Sequence, residues 1–302
     1  MLTASGFVDR SCVHQVPKGA SVDVQSGDVL LNGVVVQHYD LCNNAQTGVG
    51  PLAPASTSGA PQGASPGGWY QTVAANAQLL NGMKQFDALE VSFTVPPAPN
   101  VPKTDTAVWF LFPGLENLAT PGNPGTAGSI IQPVLQWGAL EPDVGGGGEY
   151  YQIYPEFNGY GDVWFNGVEL VNPGDNLEGV VIQTANNLDA WQIAIYDLTS
   201  GAYSSFQVIN IPNSWPKYNW AAMGALEGYG NIEQTDGLNE CSELPSSNNE
   251  YFTVDYVQQA GPYWNSWNNV TPSWGRLEFV YSPNCSWTAW FDSTQCQLQW
   301  TN

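Results

Sequence analysis

The chain has 302 residues, 43% of them hydrophobic and 11% charged, against about 25% charged in ordinary globular chains. Asp and Glu number 27 against 6 Lys and Arg, a formal net charge of −21. Such a surface repels nucleic acid and anionic membranes, which excludes both as partners.

A carboxylate-rich, lysine-poor surface loses its self-repulsion as carboxyls take up protons, so acidic surroundings are expected. No run of ~18 apolar residues offers a membrane span. No apolar run follows Met1 either. The expectation is of a leader already removed, or of a chain that stays inside the cell.

Residues 1–42 read as a first unit. Val29, Leu30 and Leu31 are followed by Asn32-Gly33 and then Val34, Val35 and Val36. Asn-Gly supplies the positive φ angles of a two-residue hairpin turn, and β-branched residues flank it. This unit holds both histidines, His14 and His38. Residues 43–68 lose all hydrophobic period and turn to Gly, Pro, Ala, Ser and Thr, the composition of a linker. Residues 1–68 are therefore expected to be a pro-segment-like or docking appendage.

A main domain is expected over 69–302. Leu89, Val91, Phe93 and Val95 alternate with Ala88, Glu90, Ser92 and Thr94. An apolar run from Thr106 to Phe112 precedes Pro113-Gly114. Ile130 to Gly138 follows, and its strand parity puts Ile131, Leu135 and Trp137 on one face. Gln132, Val134 and Gln136 take the other. Further strands are expected at Glu149–Phe157, Asp162–Leu170, Leu177–Thr184, Ala190–Asp197 and Ala202–Ile209. Gly145–Gly148, the Asn172–Asp175 turn and Thr199–Gly201 lie between them. The chain closes with Arg276–Tyr281, Ser286–Phe291 and Gln295–Thr301. Many short strands with 32 Gly and 22 Pro predict an all-β, antiparallel two-sheet β-sandwich carrying an N-terminal β-hairpin appendage.

Five cysteines are present. Cys285 and Cys296 could pair across a hairpin, and Cys12 and Cys42 could close the first unit, which leaves Cys241 over. No Cys-x-x-Cys suggests zinc or redox use. Asn269 and Asn284 begin glycosylation sequons. Cysteine pairs and sequons together favour a secreted, extracellular protein.

The usual catalytic machinery is absent. With both histidines in the appendage, a Ser-His or Cys-His pair in the main domain has no base. No Gly-x-Ser-x-Gly elbow, zinc motif, phosphate loop or dinucleotide fingerprint occurs. Carboxylates, carboxamides and aromatics remain. In Trp220–Tyr229, small residues surround Glu227 and leave room for a ligand or backbone to approach. Strand parity there puts Met223, Ala225, Glu227 and Tyr229 on one face. Trp69, Tyr70, Trp137, Tyr150, Tyr151, Trp164, Tyr263, Trp264, Trp267 and Trp274 are either core or groove lining.

The order of these segments resembles the glutamic peptidases called eqolisins, of concanavalin A-like sandwich fold. Leu135-Gln136-Trp137-Gly138 matches the family's Leu-Gln-x-Gly strand, and Glu227 stands in place of its later glutamate. Tyr150 to Pro155 resembles an aromatic family strand, with Gln152 where the family has glutamate. Trp69 and Glu116 match a tryptophan near the mature N-terminus and an aspartate. The resemblance implies an acid-acting endopeptidase with a Gln136/Glu227 dyad, an activated water and no metal or other cofactor. Among apolar neighbours Glu227 would carry a raised pKa unless hydrogen-bonded, whereas as base it would carry a near-ordinary one; Trp69, Glu116 and Gln152 would contact a polypeptide substrate. Two alternatives stand beside it: a non-catalytic, lectin-like protein that binds glycans, and an extracellular sandwich that assembles with copies of itself.

Overall fold

The computed structural model describes residues 2–3, 6–42, 68–76, 85–100, 107–118, 127–138, 149–159, 161–184, 190–212, 218–229, 238, 240–260, 267–269, 274–278 and 284–301. The expected linker over 43–67, the Gly145–Gly148 turn, Tyr263 and Trp264 lie outside them.

The strands run in chain order as follows. Leu2–Thr3 (β1) pairs with Gly6–Phe7 (β2). Val13–Val16 (β3), Ser21–Asp23 (β4), Asp28–Leu31 (β5) and Val34–His38 (β6) complete the N-terminal part. Gly68–Asn76 (β7), Phe86–Thr94 (β8), Val108–Leu118 (β9) and Ala127–Trp137 (β10) follow. Next are Tyr151–Gly159 (β11), Asp162–Asn166 (β12), Glu169–Val171 (β13) and Asn176–Gln183 (β14). Trp191–Asp197 (β15), Tyr203–Ile209 (β16), Trp220–Tyr229 (β17) and Asn249–Ala260 (β18) come after. Trp267–Asn269 (β19), Gly275–Glu278 (β20), Thr288–Phe291 (β21) and Gln295–Gln299 (β22) close the chain.

Among the described residues these strands form two large sheets. The order in the nine-stranded sheet is β20-β7-β17-β9-β10-β11-β12-β3, with β13 also on β11. The order in the eleven-stranded sheet is β21-β22-β18-β8-β14-β15-β16-β4-β5-β6, with β19 also on β18. Most pairs are antiparallel. β12 with β3 and β16 with β4 are parallel. The molecule is thus an all-β two-sheet sandwich with a hairpin-like N-terminal extension. Asn32 and Gly33 both take positive φ, 53° and 78°, at the expected hairpin turn, and every residue of β6 is exposed.

Parity decides which face each side chain takes. In β14, Leu177, Gly179, Val181 and Gln183 are buried while Glu178, Val180 and Ile182 lie on the more open side. In the other sheet a row of four aliphatics, Leu226, Leu111, Leu135 and Ile153, crosses four adjacent strands. Each is fully buried, and burying such a side chain contributes about 1.5–3 kcal/mol. Close contact between the sheets centres on Gly179. A Cβ there would lie 2.6 Å from Pro133 Cγ and 3.1 Å from Pro113 Cγ, so only glycine lets the layers approach this far.

Two sequence expectations are corrected. Pro113-Gly114 does not end the strand that precedes it: β9 runs on to Leu118. Proline removes a ladder donor, and β17 has its bulge at that level, between Ala222 opposite Gly114 and Ala225 opposite Phe112. The disulfides are Cys12–Cys42 and Cys241–Cys285, and Cys296 is a buried free thiol. The expected Cys285–Cys296 bridge fails on register. Cys296 faces Phe291 across the β21–β22 hairpin, whereas Cys285 accepts a backbone bond from Thr301, five residues further along. That is about 16 Å of strand.

The N-terminal unit is tied to both sheets. β3 extends one and β4 the other. His14 Nε2 lies 2.9 Å from Asp162 Oδ1, which also accepts from the Cys42 amide. Val16, Ala20, Val22 and Val29 belong to the hydrophobic core.

Candidate active site

One residue away from the aliphatic row, and therefore on the opposite face, runs a second row across five strands. Trp69 stands opposite Glu227, Glu227 opposite Phe110, Phe110 opposite Gln136, and Gln136 opposite Gln152. Directly opposed residues in a sheet share a face. Glu227 and Gln136 thus flank Phe110, two strand spacings or about 10 Å apart at Cα. The β17 bulge matters here. Trp220 and Glu227 are an odd number of residues apart, yet each opposes a residue of like parity on β9, Glu116 and Phe110. The bulge returns Trp220 to this face, and its ring lies 5.5 Å from that of Trp69. Of the side chains expected to share Glu227's face, Ala225 and Tyr229 do, while Met223 falls inside the bulge.

Two tyrosines absent from the expected site hold its polar groups. Tyr154 Oη donates to Gln136 Oε1 at 2.8 Å. That occupies the acceptor end of the amide and leaves its N–H end, which makes a long 3.4 Å bond to the Gly138 carbonyl. Tyr229 Oη donates to Glu227 Oε1. The signal for Tyr229 was its place two residues from Glu227, on the same face. Tyr154 bears the same relation to Gln152.

The polar face is enclosed. Glu227, Gln136, Gln152 and Glu116 are all 0% exposed. Among the described residues, Glu227 Oε2, both oxygens of Glu116 and both polar side-chain atoms of Gln152 make no hydrogen bond. Each such group costs about 1–3 kcal/mol to bury, a cost that a bound water or polar ligand removes. Gln132 donates to Glu156 Oε1 at 3.1 Å on the same face.

Burial pushes Glu227 well above the usual carboxyl range. Tyr229 opposes the rise, and the charges of Glu156 and Glu116 add to it. The expected near-ordinary pKa is therefore not met in this enclosed arrangement. Glu116 is raised by burial to about 8. The cause is desolvation, which penalises the charged form.

All five residues expected at the site, Gln136, Glu227, Trp69, Glu116 and Gln152, thus lie on one face. Glu116 is six residues along β9 from Phe110, at the Trp220 end of the same face, and its charge is felt at Glu227. The other candidate groove aromatics separate. Trp137 and Tyr151 pack with Trp109 on the opposite face, with ring centroids 4.7–6.4 Å apart. Trp164 packs on His14 and Tyr39. Trp274 is buried and donates to the Ser293 carbonyl. Of the sequons, Asn284 is exposed and its side chain accepts from the Ser286 amide. Asn269 lies in β19, with its side chain outside the described residues.

The fold and this face define an all-β sandwich with a buried carboxylate–carboxamide row. No protein-family model matches the chain, and no curated protein matches it. Among solved structures it is similar to SCP-B, a member of the eqolisin family of peptidases in complex with the tripeptide Ala-Ile-His. Identity there is 14% over 78% of this chain and 98% of that one, with a TM-score of 0.48. Scytalido-glutamic peptidase with a peptide-based transition state analog matches at 13% identity over the same shares, with a TM-score of 0.45. Lectin II from Ulex europaeus matches at 14% identity over 49% of this chain and 67% of that one, with a TM-score of 0.27.

Proposed function

We propose that the chain is a glutamic-type endopeptidase that hydrolyses polypeptides with Glu227 and Gln136. The observation that carries this reading is the shared row, in which both residues oppose Phe110 from its two sides. The motif resemblance around Leu135–Gly138 and Glu227 supports it.

In this mechanism a water molecule lies between the two side chains. The ionised Glu227 takes a proton from that water as its oxygen attacks the scissile carbonyl carbon. The carbonyl oxygen becomes an oxyanion, and the Gln136 N–H donates to it. One such donor is worth on the order of 3 kcal/mol. The tetrahedral species then collapses as the C–N bond breaks, and Glu227 returns its proton to the leaving amine. Tyr154 acts as a positioning residue, since its hydroxyl holds the acceptor end of the Gln136 amide. Tyr229 does the same for one Glu227 oxygen. A raised Glu227 is poorly ionised in acid, so turnover at pH 3–5 requires the face to take up water and substrate, which brings the carboxyl back toward its ordinary value near 4. An extracellular, acidic setting fits this chemistry and the charge balance of the chain.

The test is incubation of an acid-denatured protein at about pH 3–5 with wild type, Glu227→Gln and Gln136→Ala, reading products by mass spectrometry. Cleavage by wild type and loss in Glu227→Gln is the expected result. Equal cleavage by all three removes the dyad.

A further inference from the structure

The outer face of the eleven-stranded sheet carries a second feature, remote from the row just described. Trp290 on β21 opposes Gln297 on β22, and Gln297 opposes Tyr251 on β18. The three share one face. It is the face turned away from the other sheet, because their neighbours Phe252, Cys296 and Leu298 are fully buried on the inner side. Trp290 is 50% exposed and Tyr251 54%. Two large aromatics therefore stand in solvent on either side of one carboxamide.

The amide is oriented. Gln299 Nε2 donates to Gln297 Oε1 at 2.8 Å, which leaves the Gln297 N–H₂ group to donate outward. The adjacent row on the same face is Thr288–Gln299–Asn249. These two rows hold no Asp, Glu, Lys or Arg. In a chain with 27 acidic and 6 basic residues, this is an uncharged patch of aromatic, amide and hydroxyl groups. Aromatic rings of this kind combine an apolar face with a polar tip and suit ligands that are partly apolar and partly wet.

We propose that Trp290, Gln297 and Tyr251 form a binding site for a neutral β-1,4-linked polysaccharide of the cellulose or chitin type. A pyranose ring offers a C–H face that stacks on an aromatic and a rim of hydroxyls that pairs with amides. The Cα positions of Trp290 and Tyr251 are two strand spacings apart, about 10 Å, which matches the repeat of a two-sugar unit in an extended β-1,4-linked chain. In such a chain every second sugar presents the same face, so Trp290 and Tyr251 each meet an equivalent ring. The sugar between them lies over Gln297, whose N–H₂ donates to a hydroxyl. Anionic polysaccharides are disfavoured by the net charge of −21. The site lies on the other sheet from Glu227 and Gln136, so a bound fibre leaves their face untouched.

The experiment is retention of the full chain on microcrystalline cellulose and on chitin beads, in parallel. Retention on either polymer, released by the matching soluble oligosaccharide, is expected. Trp290→Ala and Tyr251→Ala each weaken it about tenfold or more, as for a half-exposed aromatic anchor, and the double variant falls to background. Both positions are exposed, so the melting temperature of the variants stays at the wild-type value. Flow-through of wild type on both polymers, or retention of the double variant at the wild-type level, overturns the proposal.

Discussion

Glu227 and Gln136 approach Phe110 from its two neighbouring strands and project from the same face of the sheet. The chain separates them by a long stretch, and β9 is the element that sets their spacing. Both are enclosed, and each is held by a tyrosine hydroxyl.

The Tyr154 contact predicts a selective kinetic effect. Tyr154→Phe removes one hydrogen bond and little volume. Such a bond is worth on the order of 1 kcal/mol, so kcat for a peptide substrate is expected to fall roughly fivefold to tenfold with KM little changed. A change in KM alone would show that Tyr154 serves substrate binding instead.

Stability should fall as pH rises. Burial holds Glu116 and Glu250 at about 8 and Asp87 at about 7. Unfolded carboxyls titrate near 4, so the folded chain binds these protons more tightly. The resulting stabilisation is complete below about pH 4 and is lost as pH climbs to about 8. Exposed Asp9, Asp28 and Asp292 are lowered by local hydrogen bonds. They act in the opposite direction, below about pH 4, and are screened by solvent. The melting temperature is expected to decline between about pH 4 and 8, and Glu116→Gln should flatten that decline. A melting temperature that rises over this interval would contradict the assignment.

The cysteine arrangement can be read chemically. A non-reducing peptide map should recover Cys12 with Cys42 and Cys241 with Cys285. Cys296 is fully buried and its thiol is pushed well up by burial, with Glu250 adding to the rise. It should resist a thiol reagent in the native protein and react after unfolding. Rapid native labelling at Cys296 would place that residue at the surface.

The N-terminal unit should matter for stability. Replacing Cys12 and Cys42 by serine releases a loop spanning 30 residues, at a cost of about 3–4 kcal/mol. His14→Ala should destabilise as well, since it removes a partner of the buried Asp162. The readout for both is denaturant midpoint at unchanged m-value. An unaltered midpoint in the cysteine variant would mean that β3 and β4 hold without the bridge.

Much of the fold was legible because parity is a local property. β14 and β16 show their buried and open faces directly in the residue order, β10 shows its apolar and half-polar faces, and Asn32-Gly33 marked its turn. Non-local features were hidden. Pro113 looked like a stop because the bulge that accommodates it lies in β17, a hundred residues later. β18 was overlooked although Phe252 and Val254 alternate with Tyr251, Thr253 and Asp255. The cysteine partners depended on hairpin register, which spacing alone does not fix. For the candidate site, parity showed which face Gln136 and Glu227 take, but neither the strand between them nor the enclosure that raises Glu227. Tyr154 and Tyr229 were legible only as neighbours two residues along a strand.

The most direct test is a double-mutant cycle on kcat/KM for one peptide substrate, with Glu227→Gln, Gln136→Ala and the combined variant. Residues that act on one reacting carbonyl are strongly non-additive. The combined variant is predicted to be no slower than Glu227→Gln alone, and that single variant to keep only a residual rate, on the order of a thousandth of wild type or less. Wild-type turnover in Glu227→Gln, or two partial losses that simply multiply, would contradict the account.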